Sequence, residues 1–323
     1  DKLEVYELIQ RSGDLINQDK YQEAAAYLER ALSLDSAIPQ ARLLLSTCYA
    51  ELGRRDEAKR LLDTILKEDP DSIQALIGLA NLLLAEGRDE EVISLSKKAL
   101  SLDDRNIQAY TLIGEVYLNK EEPDKALPFL EKALEIQPKI TRNQFNLALC
   151  LAGLKDYARA EELLLKVLDD YPRFPLANYH LGLLYEEQGK LAEAQQAYEK
   201  EIEYYPNHFR ARFNLGKILL ARGDFDGYME QMKKVIEFAP KEAEGYLFYA
   251  RGKLLRQDNP DDILKLINTG LSLAKTSELK ALGYYLLADV YNRLGQTQKV
   301  EEALARASEY KNQTESQKNE KRG

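Results

Sequence analysis

The chain has 323 residues, 45% of them hydrophobic and 31% charged, with a formal net charge of −9 and no tryptophan. That is the mixture of a folded, helix-friendly chain, away from disorder and collagen, and its acidic balance argues against general binding to nucleic acid or an anionic membrane. Two cysteines, Cys48 and Cys150, and two histidines, His180 and His208, stand in no metal or redox spacing, and no apolar run reaches the length of a transmembrane span.

Asp1 is preceded by no methionine or apolar leader. The chain therefore reads as an excised or processed piece whose compartment, bacterial cytoplasm or periplasm, is not legible.

Along the chain, Pro70, Pro138, Pro172, Pro206 and Pro240 fall on one lattice with a spacing of 34, and Asp104 fills its vacant point. Each proline follows an amphipathic stretch such as LDTILKEDP or LEKALEIQP. Because proline cannot continue a helix, it punctuates helix ends at fixed intervals. The lattice predicts frames at 5–38, 39–72, 73–106, 107–140, 141–174, 175–208, 209–242 and 243–277, with a ninth near 281–314.

Within the frames a small residue recurs as Ser46, Ala80, Gly114, Ala148, Gly182, Gly216, Ala250 and Ala288. A turn glycine recurs as Gly53, Gly87, Gly189, Gly223 and Gly295, and a second small site as Ala24, Ala58, Ala126, Ala160 and Ala194. Small side chains let two antiparallel helices approach closely, and glycine supplies a left-handed cap between them.

This pattern resembles the tetratricopeptide-repeat family over roughly residues 5–310, without that family's usual tryptophan. The resemblance implies an all-α, right-handed superhelical solenoid of about nine helix-turn-helix repeats. First helices would line its concave side and second helices its convex side. The entry segment DKLEVYELI followed by repeats also resembles the C-terminal region of bacterial sulfatases with tetratricopeptide tails. Neither cysteine stands in a Cys-x-Pro-x-Arg setting, so sulfatase chemistry is absent from this chain.

Two features depart from the lattice. Between Ala250 and Ala288 the spacing is 38, with one extra residue near Pro260 and three after Gly270. A surface-loop insertion accounts for it; a hinge splitting off the last two frames is the alternative. The closing segment 311–323 is polar and aperiodic, and reads as a disordered tail.

Positions 2, 6, 9 and 13 of each frame form one stripe on the first helix, and in the family this stripe holds ligand contacts. It carries Gln108, Leu112 and Glu115 in frame four and Arg142 and Asn146 in frame five. Frame six has Leu176, His180, Leu183 and Glu187; frame seven has Arg210, Asn214 and Lys217; frame eight has Glu244, Phe248 and Arg251. Around the first helices of frames five to eight, eight basic residues (Arg142, Arg210, Arg212, Lys217, Arg222, Arg251, Lys253, Arg256) face three acidic ones (Glu186, Glu187, Glu244).

Asn146 and Asn214 occupy the position where peptide-binding members hydrogen-bond a ligand backbone, and a side-chain amide offers both donor and acceptor. The order Arg-x-x-x-Asn, Leu-x-x-x-His, Arg-x-x-x-Asn departs from the family's carboxylate clamp. The bland alternative is that these are solvated polar residues on an exposed face.

No P-loop, nucleophile elbow or HExxH motif is present, and no catalytic residue, cofactor or metal site is assigned. Cys48 and Cys150 read as buried small hydrophobes, and tyrosines such as Tyr198 and Tyr284 as packing residues, with no nucleic-acid partner. The expectation is a non-enzymatic scaffold for a protein or peptide, its acidic segment held by Arg142, Asn146, His180, Arg210, Asn214, Lys217 and Arg251. The alternatives are the non-catalytic region of a longer enzyme and a self-associating structural element.

Overall fold

Eighteen α-helices and no strand make up residues 2–320, the part of the chain that the computed structural model describes. Two units divide the chain, residues 1–167 and 168–323, with the boundary inside α10 (Tyr157–Asp170) and not at the irregular spacing after Ala250.

In the first unit, first helices α1 (Lys2–Ile16), α3 (Pro39–Glu51), α5 (Ile73–Ala85), α7 (Ile107–Asn119) and α9 (Thr141–Gly153) alternate with α2 (Tyr21–Leu34), α4 (Arg55–Glu68), α6 (Asp89–Leu102), α8 (Pro123–Ile136) and α10. Each first helix also touches the next first helix, so together they line one face of this unit. The second unit holds the pairs α11 (Ala177–Glu187) with α12 (Leu191–Tyr204), α13 (Phe209–Ala221) with α14 (Phe225–Phe238), α15 (Ala243–Leu255) with α16 (Pro260–Leu273), and α17 (Ser277–Arg293) with α18 (Thr297–Glu320).

The helix ends follow from local chemistry. Asp69, Gln137, Tyr205 and Ala239 cap the C-termini in non-helical backbone, with φ between −128° and −141°, each directly before a proline. The proline ring disfavours helical backbone in the residue before it. Ser72, Asn106 and Thr276 then accept a backbone N–H of the following helix, capping its start. The fourth residue of several frames reaches back to a carbonyl of the preceding turn: Arg42 to Ser36, Tyr110 to Asp104, Gln144 to Pro138, Arg212 to Pro206 and Tyr246 to Pro240, at 2.6–2.9 Å.

All nine turns inside the pairs contain one left-handed residue. Glycine fills this position at 53, 87, 189, 223 and 295, and Asp19, Glu121, Lys155 and Gln257 adopt it with φ of 57–63°. The helix-helix contact is equally repetitive. A Cβ on Gly114 would lie 2.5 Å from Leu130, and one on Gly182 would lie 2.5 Å from the Tyr198 ring, both residues fully buried.

Two expectations need correction. The three residues after Gly270 form no loop. They lengthen α17 to 17 residues where α15 has 13, adding one turn at its N-terminus, while the turn before Pro260 is one residue longer as expected. One core cluster, including Leu247, Ile263, Ile267, Leu286 and Ala303, runs continuously across this spacing, so no hinge interrupts it.

Nor is the segment from Lys311 a disordered tail over its described part: α18 continues through Glu320, and residues 321–323 lie outside the described residues. The two deviations share one cause. The added turn of α17 supplies Ser277, which donates to Gln313 at 3.2 Å, and Lys280, whose ammonium lies over Tyr310, itself stacked on Tyr284 with ring centroids 5.8 Å apart.

Left-handed backbone costs a residue with a Cβ about 1–2 kcal/mol, partly offset by glycine's greater freedom in the unfolded chain. Glu121→Gly should therefore stabilise the fold by a few tenths to about 1 kcal/mol, seen as a higher midpoint in thermal unfolding. Gly182→Leu forces Tyr198 out of its place and should destabilise by roughly 1–3 kcal/mol. An unchanged melt would contradict this helix contact.

Candidate functional site

The polar stripe lies on the first-helix faces of both units. In the first unit the side chains of frames four and five bind one another. Arg142 donates from Nε and Nη2 to the two carboxylate oxygens of Glu115 at 2.7 and 2.6 Å, and Asn146 Nδ2 adds a third bond to Glu115 at 2.7 Å. Glu115 is only 13% exposed, against 58% for the Arg142 side chain. A forked pair of this kind is both strong and directional. The sequence placed all three residues on the stripe, but it did not show that the arginine's charge is balanced from the neighbouring repeat.

Beside this pair lies a cleft of roughly 270 Å³ lined by Asn81 of α5, by Gln108, Thr111 and Leu112 of α7, and by Ile140, Arg142 and Asn143 at the start of α9. Asn143 is buried to 1% exposure. Its Oδ1 is 2.8 Å from the Thr111 hydroxyl, and its Nδ2 has no partner. The Thr111 hydroxyl also lies 3.0 Å from the Ile107 carbonyl.

In the second unit, α11 begins two residues late in its frame, behind Leu176, which has φ of 67° and lies outside the helix. The late start leaves N–H groups to be satisfied, and Glu201 of α12 meets one of them. Its carboxylate accepts from the Tyr179 backbone N–H at 3.3 Å and lies 2.9 Å from His208 Nδ1, with the side chain 1% exposed.

His180 packs edge-on against Tyr179, with ring centroids 5.4 Å apart. Burial pushes its imidazole down to about 4, with Glu201 opposing and His208 adding to the depression. The Tyr198 hydroxyl donates to Glu186 and accepts from Asn214 Nδ2 at 3.3 Å; burial foremost, and then Glu186, push its pKa upward.

The local positive balance is smaller than the sequence suggests. Glu115 pairs Arg142, and Lys253 and Arg256 share the single carboxylate of Asp258, whereas Arg212 and Arg222 bond only neutral oxygens of Gln231, Pro206 and Gln195 and keep their charge. Arg210, Lys217 and Arg251 are exposed and form no ion pair among the described residues. Lys217 lies over the Phe213 ring at 5.0 Å, and Arg251 borders a second cleft with Leu255, Leu286 and Asp289. Cys48 and Cys150 are fully buried, and burial raises both thiols to about 11, which leaves little nucleophilic thiolate. Among the described residues no metal-binding cluster is present, and no helix is long and apolar enough to cross a membrane.

Sequence reading passed over Asn143 and Glu201 because neither lies on the stripe. Comparison of frame positions reveals both. Asn143 stands where other frames have Ala41, Ala75, Ala109, Ala177 and Ala211, and Glu201 where they have Ala99, Ala133, Val167 and Val235. A polar group at a position that these frames fill with apolar residues is the readable signal.

Tetratricopeptide-repeat family models match residues 15–82, 57–116, 107–140, 145–199, 179–243 and 281–314. Two of these ranges, 107–140 and 281–314, are single frames of the lattice. A search of curated proteins gives no match.

Among solved structures, the chain is similar to a tetratricopeptide repeat protein from Parabacteroides merdae, with 20% identity, coverage of 83% of this chain and 99% of that one, and a TM-score of 0.57. It is also similar to a chain of the APC/C hetero-tetramer Cut9-Hcn1, with 13% identity, coverage of 92% and 55%, and a TM-score of 0.65. Pseudomonas aeruginosa pilF gives 22% identity, coverage of 66% and 97%, and a TM-score of 0.57. These likenesses concern the fold.

The depressed imidazole of His180 makes a pH prediction. Unfolded, the group protonates near 6.5; folded, near 4. Between those values the unfolded chain binds more protons, so this contribution to stability is complete above about pH 6.5 and is lost as pH falls toward 4. His180→Gln should flatten the fall in melting temperature over that window. Parallel curves for parent and variant would contradict the buried neutral imidazole.

Proposed function

The chain belongs to the tetratricopeptide-repeat family, and from that premise we propose that it is a non-catalytic scaffold holding an extended acidic segment of a partner protein on its first-helix face. Stacked repeats of this family serve as protein-interaction scaffolds, which sets the general class. The acidic ligand is the finer reading, and it rests on the contrast between paired and unpaired cations.

Arg142 gives no net charge to a ligand while Glu115 holds it, so its part is to shape the face. Arg210, Lys217 and Arg251 keep their charge on exposed positions of α13 and α15. Asn214 lies between Arg210 and Lys217 on the same helical stripe, where an amide can meet a ligand's peptide group. His180, on the same unit, is more enclosed and has no charge to offer the ligand; Asn146, on the first unit, is held by Glu115.

Selection from a displayed library of extended peptides tests the reading. Binders of the parent chain should be enriched in Asp and Glu and should weaken with added salt. Hydrogen bonds to charged groups contribute roughly 1.5–3 kcal/mol each, so Arg210→Ala/Lys217→Ala should weaken the selected peptides at least about tenfold. Binders without acidic enrichment, or full affinity in the double variant, would sink the acidic-ligand reading.

A further inference from the structure

The cleft between α5, α7 and α9 differs in chemistry from the cationic face of the second unit. Its one cation, Arg142, is neutralised by Glu115 through two hydrogen bonds. The remaining polar lining is three primary amides, Asn81, Gln108 and Asn143, with the Thr111 hydroxyl. A wall of amides around a balanced charge favours neither an anion nor a cation. It matches a group that carries its own donor and acceptor.

Asn143 provides the second observation. Its side chain is 1% exposed, and one polar atom has no partner. The Thr111 hydroxyl has a single proton, shared between the Ile107 carbonyl at 3.0 Å and Asn143 Oδ1 at 2.8 Å. Neither contact reaches Nδ2, which is left open. A buried polar group without a partner is costly to the fold, and alanine or glycine fills this position in the other full frames from the second onward.

We propose that this cleft is a subsite for one uncharged amide group of a ligand, completed by the open end of Asn143. The group is either a side-chain carboxamide or a main-chain peptide unit. The subsite deepens the reading of the chain as a peptide-holding scaffold and rests on it, but its test does not depend on the acidic face.

The test is saturation-transfer NMR on the full chain with three probes: propionamide for the side-chain source, N-methylacetamide for the main-chain source, and acetate as the charged control. At least one amide should bind more tightly than acetate, and the tighter amide identifies the source. Asn143→Ala should weaken that amide at least about fivefold and melt at or above the parent temperature, because it removes an unsatisfied group and restores the small residue of the other frames.

Arg210→Ala/Lys217→Ala should bind the probes like the parent, which separates a failure of the acidic face from a failure of this subsite. Preference for acetate, absence of amide binding, unchanged binding in Asn143→Ala, or a clearly lowered melt of that variant would each overturn the proposal. The last result would make the amide a structural group.

Discussion

Three helix pairs close over a glycine, and the others close over a serine or an alanine at the same frame position. Gly114 faces Leu130, Gly182 faces the Tyr198 ring and Gly216 faces Met232, with no space for a Cβ unless the partner moves. That approach fixes how far apart the helices of a pair can be, and so how short the turn between them must be. Nine left-handed turn residues follow from it, including four that carry a Cβ. The apolar faces then bury against the next pair, which is how a repeat with no core of its own becomes stable.

The lattice was legible because punctuation and packing both repeat every 34 residues, so each proline and each small residue supported the same frames. What failed was the reading of polar sequence. LAKTSELK has no period that separates loop from helix, and KNQTESQKNE has no apolar face. SELK, which opens α17, and KNQTESQKNE, which closes α18, are helical because they lie against each other, through Ser277 with Gln313 and Lys280 with Tyr310. A contact between residues 36 positions apart leaves no trace in either segment alone.

The site was legible in position and illegible in charge. Arg142, Asn146 and Asn214 stand on the stripe where spacing put them, but each makes a hydrogen bond to a side chain of another helix: Glu115 for the first two, Tyr198 for the third. A sum of charges along one helix cannot include a carboxylate 27 residues earlier in the chain. Glu201 shows the opposite case. It looks like an ordinary charged helix residue, yet it is buried and bonded to the start of α11, where the helix begins late.

The elongated last pair also governs how such an array can change its length. Among the regular first helices of 13 residues, a 34-residue cassette can be gained or lost and its neighbours still meet matching surfaces. The helix α18 does not fit such an exchange. Its 24 residues overrun any standard partner, and its outward side chains are mostly exposed and polar. Growth or shrinkage by whole cassettes is therefore open within the regular lattice, whereas the pair α17–α18, with its longer helices and mutual contacts, can be exchanged only as a unit.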